Sequence, residues 1–223
     1  ITNKILIIYK ISIKFYEINL KFGYKNYIHI MIKLVFKICV FSFFLSKTTF
    51  LQANENKTMI LDNLSNPGVT SQGQNWAFFT DGVMGGLSQG KAIISKVNDV
   101  NCYHMTGDVT TENNGGFIQI RNQLRPSIST DKYEGIYFKV FGNNEEYSIH
   151  VRTALTMAPW QYYKYSFKTN SEWTVIKAPF SEFKKSNAYQ PKKLVGQNIK
   201  TLGLVAGFKD FQADICLSEI GFY

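Results

Sequence analysis

A chain of 223 residues with 25 Lys and Arg against 16 Asp and Glu carries a formal charge of +9, which at face value suggests a nucleic acid or an anionic membrane as partner. At 45% hydrophobic and 18% charged it is neither disordered nor collagen-like, and it is long enough for a self-sufficient core. Three cysteines are too few for a disulfide scaffold, and they show no CxxC or Cys/His cluster of zinc-site form.

The charge is uneven along the chain. Residues 1–53 hold eight Lys and the single acid Glu17, whereas residues 54–223 hold 17 basic and 15 acidic side chains, a net of +2. The basic excess belongs to the first quarter, so a nucleic-acid role loses its support. Within residues 1–30, Ile, Lys, Asn, Tyr and Phe supply 23 positions. These are residues that A/T-rich codons encode, so residues 1–30 read as a non-native upstream extension with Met31 as the start; a genuine amphipathic or membrane-associated extension is the alternative. From Met31, Lys33 and Lys37 form a positive region, Ile38–Leu45 is a short apolar run, and Leu51-Gln52-Ala53 ends a more polar stretch. That is a tripartite secretory signal over residues 31–53, with cleavage after Ala53. An uncleaved anchor over residues 34–45 is the alternative, although the run is short for a membrane span. The expected location is periplasmic or secreted; the lack of Arg in this segment argues against a mitochondrial transit peptide.

Residues 54–223 read as one all-β domain. Short runs of period-2 alternation, separated by Gly, Asn, Asp and Pro, occur at Ala92–Val97, Cys102–Met105, Phe117–Arg121, Gly135–Phe141, Tyr147–Arg152, Tyr162–Phe167, Trp173–Ala178, Thr201–Val205 and Phe211–Ile220. One helical turn is expected, at Ser181–Lys185. Many short strands with large aromatic side chains predict an antiparallel β-sandwich or jelly roll. Alternation places Ile118, Ile120, Ile136, Phe138, Val140, Tyr147, Ile149, Val151, Tyr163, Tyr165 and Phe167 inward. The opposite set collects Gln119, Arg121, Tyr137, Lys139, His150, Arg152, Tyr162 and Lys164, with Trp160 nearby. If those strands share a sheet, the set is a polar and aromatic candidate face for a sugar or a protein partner. An ordinary solvated sheet face is the competing reading.

The densest signals are two glycine-rich runs. The first is Trp76-Ala-Phe-Phe-Thr-Asp81-Gly82-Val83-Met84-Gly85-Gly86-Leu87-Ser88-Gln89-Gly90, and the second ends in Glu112-Asn113-Asn114-Gly115-Gly116-Phe117. Both read as tight turns leading into strands, with Asp81 and the asparagines holding backbone amides. Together with Tyr133-Glu134-Gly135-Ile136, Gly142 before Tyr147, Trp173, Pro179-Phe180-Ser181-Glu182-Phe183, Ile199–Gly203 and Ile215–Ile220, they resemble the complex I intermediate-associated protein 30 family over Ile60–Tyr223. The resemblance implies a galactose-binding-like β-sandwich. It also implies a non-enzymatic assembly factor that recognises a protein client, without a cofactor. The secretion-like leader departs from the mitochondrial members of the family, which puts the complex I role itself in question.

Gly86-Leu87-Ser88-Gln89-Gly90 also matches G-x-S-x-G, but the nucleophile elbow needs a strand before it and a helix after it. A phosphate cradle is disfavoured by the lack of Gly-Lys-Ser/Thr. Two body histidines make a catalytic metal site improbable, while a structural Ca²⁺ stays open. Cys102 and Cys216 are the two body cysteines, and they are either bridged or buried as two small hydrophobes. The expected function is a binding or assembly domain with a protein client; the alternative is a carbohydrate-binding module that uses the aromatic and polar face.

Overall fold

The computed structural model describes residues 57–223, together with Val35 alone, so the expectations for residues 1–30 and 31–53 fall outside the described residues. Among the described residues no helix is long and apolar enough to cross a membrane. Twelve strands follow in order: β1 (Met59–Asp62), β2 (Ala77–Thr80), β3 (Gln89–Val97), β4 (Val100–Val109), β5 (Phe117–Ser129), β6 (Gly135–Gly142), β7 (Glu146–Thr153), β8 (Tyr163–Lys168), β9 (Thr174–Pro179), β10 (Lys184–Lys185), β11 (Asn198–Gly207) and β12 (Phe211–Phe222).

They form two antiparallel sheets. The first runs β3-β4-β12-β6-β9, with β1 also on β12; the second runs β10-β8-β7-β11-β5-β2. The core lies between them because successive side chains of a strand point to opposite faces. From the first sheet it takes Met105, Phe138, Ile215 and Leu217; from the second it takes Ile118, Ile120, Ile149, Val151, Leu202 and Leu204. Each such side chain contributes roughly 1.5–3 kcal/mol on leaving water. The inward set expected from alternation in β5–β8 is found in the core or packed against it. β12 occupies the middle of its sheet. Its register shifts between Leu217 and Glu219, and this bulge lets Ile220 and Phe222 face inward alongside Ile215 and Leu217 despite their different parity.

Three elements differ from expectation. Phe180–Glu182 is a short 3₁₀ turn, and the helical turn expected over Ser181–Lys185 gives way to β10, which pairs with β8. β1 and β2 carry no alternation in Met59-Ile-Leu-Asp62 and Ala77-Phe-Phe-Thr80; they are strands because β12 and β5 offer them an edge.

The outer face of the first sheet has a small apolar layer of its own. Cys102 and Cys216 are joined there by a disulfide with a Cα–Cα distance of 5.4 Å, and both are buried. Phe141, the register partner of Cys216, lies against Trp173 at 5.7 Å. The Trp173 indole in turn donates to the Val97 carbonyl on the far edge strand at 3.3 Å. Trp173 thereby links Phe141 to the end of β3.

Candidate binding face

The two glycine runs meet at one buried carboxylate. Asp81 opens a 3₁₀ turn (Asp81–Met84) that Thr80 caps by accepting from the Gly82 N–H at 3.1 Å. Its side chain, fully buried, accepts from the Ser88 N–H and hydroxyl and from the N–H groups of Gly116 and Phe117. Burial pushes the Asp81 carboxyl up, and these four donors outweigh it, so the group titrates below its ordinary 3.8. A Cβ on Gly86 or Gly115 would overlap the Asp81 carboxylate, which is why glycine stands at both positions. Gly85 and Gly116 adopt φ of +90° and +118°. Asn113 and Asn114, left-handed as well, turn the chain after Glu112. Trp76 serves a different carboxylate: its indole donates to the buried Asp62 at 2.8 Å, beside the Tyr103 hydroxyl, which also donates at 2.8 Å. Ser88 is buried with Asp81 and Thr110 as its partners, so the G-x-S-x-G sequence forms a clasp and presents no exposed hydroxyl.

The clasp fixes one end of β5, and with it the outer face of the second sheet. Register sets Arg121, Gly203, His150 and Lys164 in one row, and Gln119, Val205, Ser148 and Ser166 in the next. Gly203 has no side chain at the centre of the first row; its Cβ position lies 3.2 Å from the Ile120 carbonyl and 3.4 Å from the Gln119 amide oxygen. Gly203 is thus buried between its neighbours in the row, with an aromatic group on either side. On one side Arg121 stacks on Phe79 at 4.5 Å. On the other, His150 stacks on Tyr162 with ring centroids 4.1 Å apart, and Lys164 sits 4.4 Å from the Phe208 ring.

Of the residues expected on a shared face, Gln119, Arg121, His150, Arg152, Tyr162 and Lys164 are gathered at this sheet. Arg152 points its guanidinium into the connection between β7 and β8, donating to the carbonyls of Thr156, Ala158 and Gln161 at 2.9–3.3 Å, so it braces that loop. Burial and the Arg121 charge depress its basicity. Trp160 belongs to the same loop and stands exposed at the rim. Tyr137 and Lys139 are not on this face. They lie on β6, which pairs with β12 and β9 in the first sheet, and Lys139 there packs over Trp173 at 5.7 Å. Alternation gives their parity correctly, but sheet membership is decided by long-range pairing that parity does not encode.

Two residues of the face have no signal in the alternation. Phe79 sits in the continuous apolar run of β2. Phe208 follows β11 in a turn with φ of +74°, a left-handed conformation costly for a bulky side chain, yet its ring is half-exposed. Its N–H donates to the Gly116 carbonyl at 2.9 Å, so the clasp that holds β5 also holds this ring in place.

His150 makes the face sensitive to acid. Burial first, and the Lys164 charge second, lower its pKa from 6.5 to about 3. The folded state therefore resists the proton that the unfolded chain takes up near pH 6.5, and the stability present above that pH is lost as the pH falls toward the folded value. Between pH 7 and 5 this is about 1–2 kcal/mol. Urea unfolding at the two pH values is expected to show that loss in the parent and a flatter response in His150→Gln; equal slopes would remove His150 as the cause.

Among the described residues no group of three or more His, Cys, Asp and Glu side chains could hold a metal ion.

Three solved structures similar to this chain concern a family 11 carbohydrate-binding module. The module of the cellulosomal cellulase Lic26A-Cel5E of Clostridium thermocellum is 20% identical, with a TM-score of 0.58 over 74% of this chain and 94% of that one. The Clostridium thermocellum module in complex with a beta-1,3-1,4-mixed-linked tetrasaccharide is 18% identical, with a TM-score of 0.57 over 74% and 94%. A solution structure of CtCBM11 is 19% identical, with a TM-score of 0.55 over 76% and 96%. At this identity the likeness is one of fold, and it agrees with the β-sandwich expected from the sequence. No curated protein matches the chain. The family model for complex I intermediate-associated protein 30 matches residues 66–217, which take in the Asp81 clasp, both of its glycine runs and the whole outer row around Gly203. The chain belongs to the complex I intermediate-associated protein 30 family.

Proposed function

We propose that this domain is a non-catalytic binding module that holds a protein client on the outer face of its second sheet, in the manner of an assembly factor. The observation that carries this reading is the row Arg121–Gly203–His150–Lys164 with Phe79 and Phe208 at its sides. Arginine and aromatic rings are the residue types that dominate protein interfaces energetically. A strained backbone at Phe208 is tolerated where the ring it presents is used. The family's name supports a client among respiratory complex I intermediates. The disulfide and the signal expected at residues 31–53 support a periplasmic or secreted location, or one anchored by residues 34–45.

A second reading has its own support. The same face offers stackable rings beside amide and hydroxyl groups, and a module with this fold is described in complex with a mixed-linked tetrasaccharide. An extended oligosaccharide across Gly203 is therefore the alternative ligand.

Arg121→Ala and Phe208→Gly separate the two. Client retention, measured by photo-crosslinking from position 119 and identification of the crosslinked protein, is expected to fall at least tenfold in each variant, while the melting temperature of Phe208→Gly stays level or rises. Retention unchanged in both variants would sink the face as the site. Binding on a glycan array by the parent, lost in both variants, would decide for the oligosaccharide.

A further inference from the structure

One end of the second sheet is built rigidly around exposed apolar side chains. There the start of β11 lies opposite the end of β7 (Ile199 with Thr153), and β10 opposite the start of β8 (Lys185 with Tyr163), so loops 154–162 and 186–197 emerge side by side. Both are pinned from below. Gln197 donates to the Tyr163 hydroxyl at 2.8 Å and accepts from Thr153 at 2.7 Å; Gln190 donates to the Tyr162 carbonyl at 2.9 Å; Ser186 donates to the Trp160 carbonyl at 2.7 Å. On this scaffold Tyr189 is 93% exposed, Met157 89%, Trp160 65%, Leu155 54% and Val195 51%. Loops held this firmly keep apolar side chains in water when those side chains have another medium to enter.

The charge beside them is basic. Residues 151–200 hold nine basic and two acidic side chains; Lys168 lies opposite Glu146 at the far end of β8 and Lys177 on β9 of the first sheet, while Lys184, Lys185, Lys192 and Lys193 lie by these loops. Five lysines, Lys164, Lys184, Lys185, Lys192 and Lys193, line a cleft of about 790 Å³ together with Val195 and a single acid, Glu182. None of the five is in an ion pair among the described residues.

We propose that this end of the domain docks on an anionic lipid bilayer, with Met157, Trp160 and Tyr189 entering the headgroup layer and the lysines meeting lipid phosphates. The residue types favour a bilayer over a protein. The basic residues by the loops, Lys184, Lys185, Lys192 and Lys193, are all Lys, a type depleted at protein interfaces and effective as a flexible charge over a lipid surface. The one Arg of residues 151–200, Arg152, is occupied with loop carbonyls. Trp and Tyr prefer the interfacial layer of a bilayer. Lys164, at the end of the Arg121–Gly203–His150–Lys164 row, also lines this cleft, so the two surfaces adjoin there; Met157, Trp160, Tyr189, Lys184, Lys192 and Lys193 lie outside the row.

The test uses the full chain, so that every protein compared has the same N-terminal segment. Sedimentation with vesicles of phosphatidylcholine alone, and of phosphatidylcholine and phosphatidylglycerol at about three to one, is expected to show at least tenfold tighter binding to the anionic vesicles. Met157→Ser combined with Trp160→Ser, and separately Lys184→Gln with Lys192→Gln and Lys193→Gln, are each expected to weaken that binding tenfold or more. All five side chains lie at the surface, so an unchanged melting temperature confirms folding. Arg121→Ala is expected to leave vesicle binding as it is, which keeps this result separate from the client site. Parent-like binding by both combined variants overturns the proposal, as does a loss confined to the lysine variant, which would mark a soluble polyanion. A client protein that crosslinks to position 157 while vesicles do not bind overturns it as well.

Discussion

Asp81→Ala is expected to destabilise the domain by about 3–5 kcal/mol, lowering its melting temperature by roughly 10–15 °C. The carboxylate is fully buried and accepts from two groups of Ser88 and from the N–H groups of Gly116 and Phe117. Truncation takes the acceptor from the N–H groups of Ser88, Gly116 and Phe117 and leaves the Ser88 hydroxyl only the Thr110 carbonyl, and an unsatisfied buried donor costs far more than a hydrogen bond gains. Asp81→Asn is expected to lose a comparable amount, since the amide nitrogen would face donors. Gly86→Ala and Gly115→Ala are expected to act in the same direction by pushing a methyl group into the carboxylate. Thermal denaturation followed by circular dichroism measures each. A melting temperature within about 3 °C of the parent for Asp81→Ala would mean that the two glycine runs are held by something other than this carboxylate. In acid the same group works in reverse: its folded pKa is lowered, so its stabilisation is present above pH 3.8 and disappears as the pH falls through the folded value.

Loss of the disulfide is the second large effect. Cys102 and Cys216 are 114 residues apart in sequence, and a loop of that size confines the unfolded chain enough to be worth about 4.7 kcal/mol at most. The double variant Cys102→Ala/Cys216→Ala, or the parent in reductant, is expected to lose about 3–5 kcal/mol in urea unfolding. The burial of both cysteines predicts slow reduction in the folded state, because a thiolate must reach a buried bond. Identical unfolding midpoints with and without reductant, after reduction has been verified by mass, would remove the bridge from the account.

The sandwich was legible from the sequence because β5 to β8 keep strict alternation, and alternation reports directly which side chains face a core. It failed where pairing is non-local. Tyr137 and Lys139 have the right parity and the wrong sheet, since nothing in Gly135–Phe141 itself says that β6 pairs with β12, some 80 residues later. The motif glycines were legible as turns, but the carboxylate they surround emerges only when Asp81 and Gly116, 35 residues apart, are brought into contact. Phe208 was hidden for a different reason: a phenylalanine directly after a strand gives no sign of a left-handed backbone. The lysines of residues 151–200 were in plain view, yet a net of +2 over the whole body averages them against acids elsewhere.

The position of β12 sets the timing of assembly. It is the last strand in sequence order, and it lies between β4 and β6 while also carrying β1. Until residues 211–222 have left the ribosome, β3 with β4 and β6 with β9 are two separate hairpin-like fragments, each with an unsatisfied edge. Cys102 likewise waits for its partner throughout that interval. The domain therefore stays open for nearly the whole of its synthesis, and it closes only when its final strand slots between fragments made long before. A stop codon at the start of that strand would leave β3 with β4 and β6 with β9 as two unjoined pairs, and Cys102 without its partner.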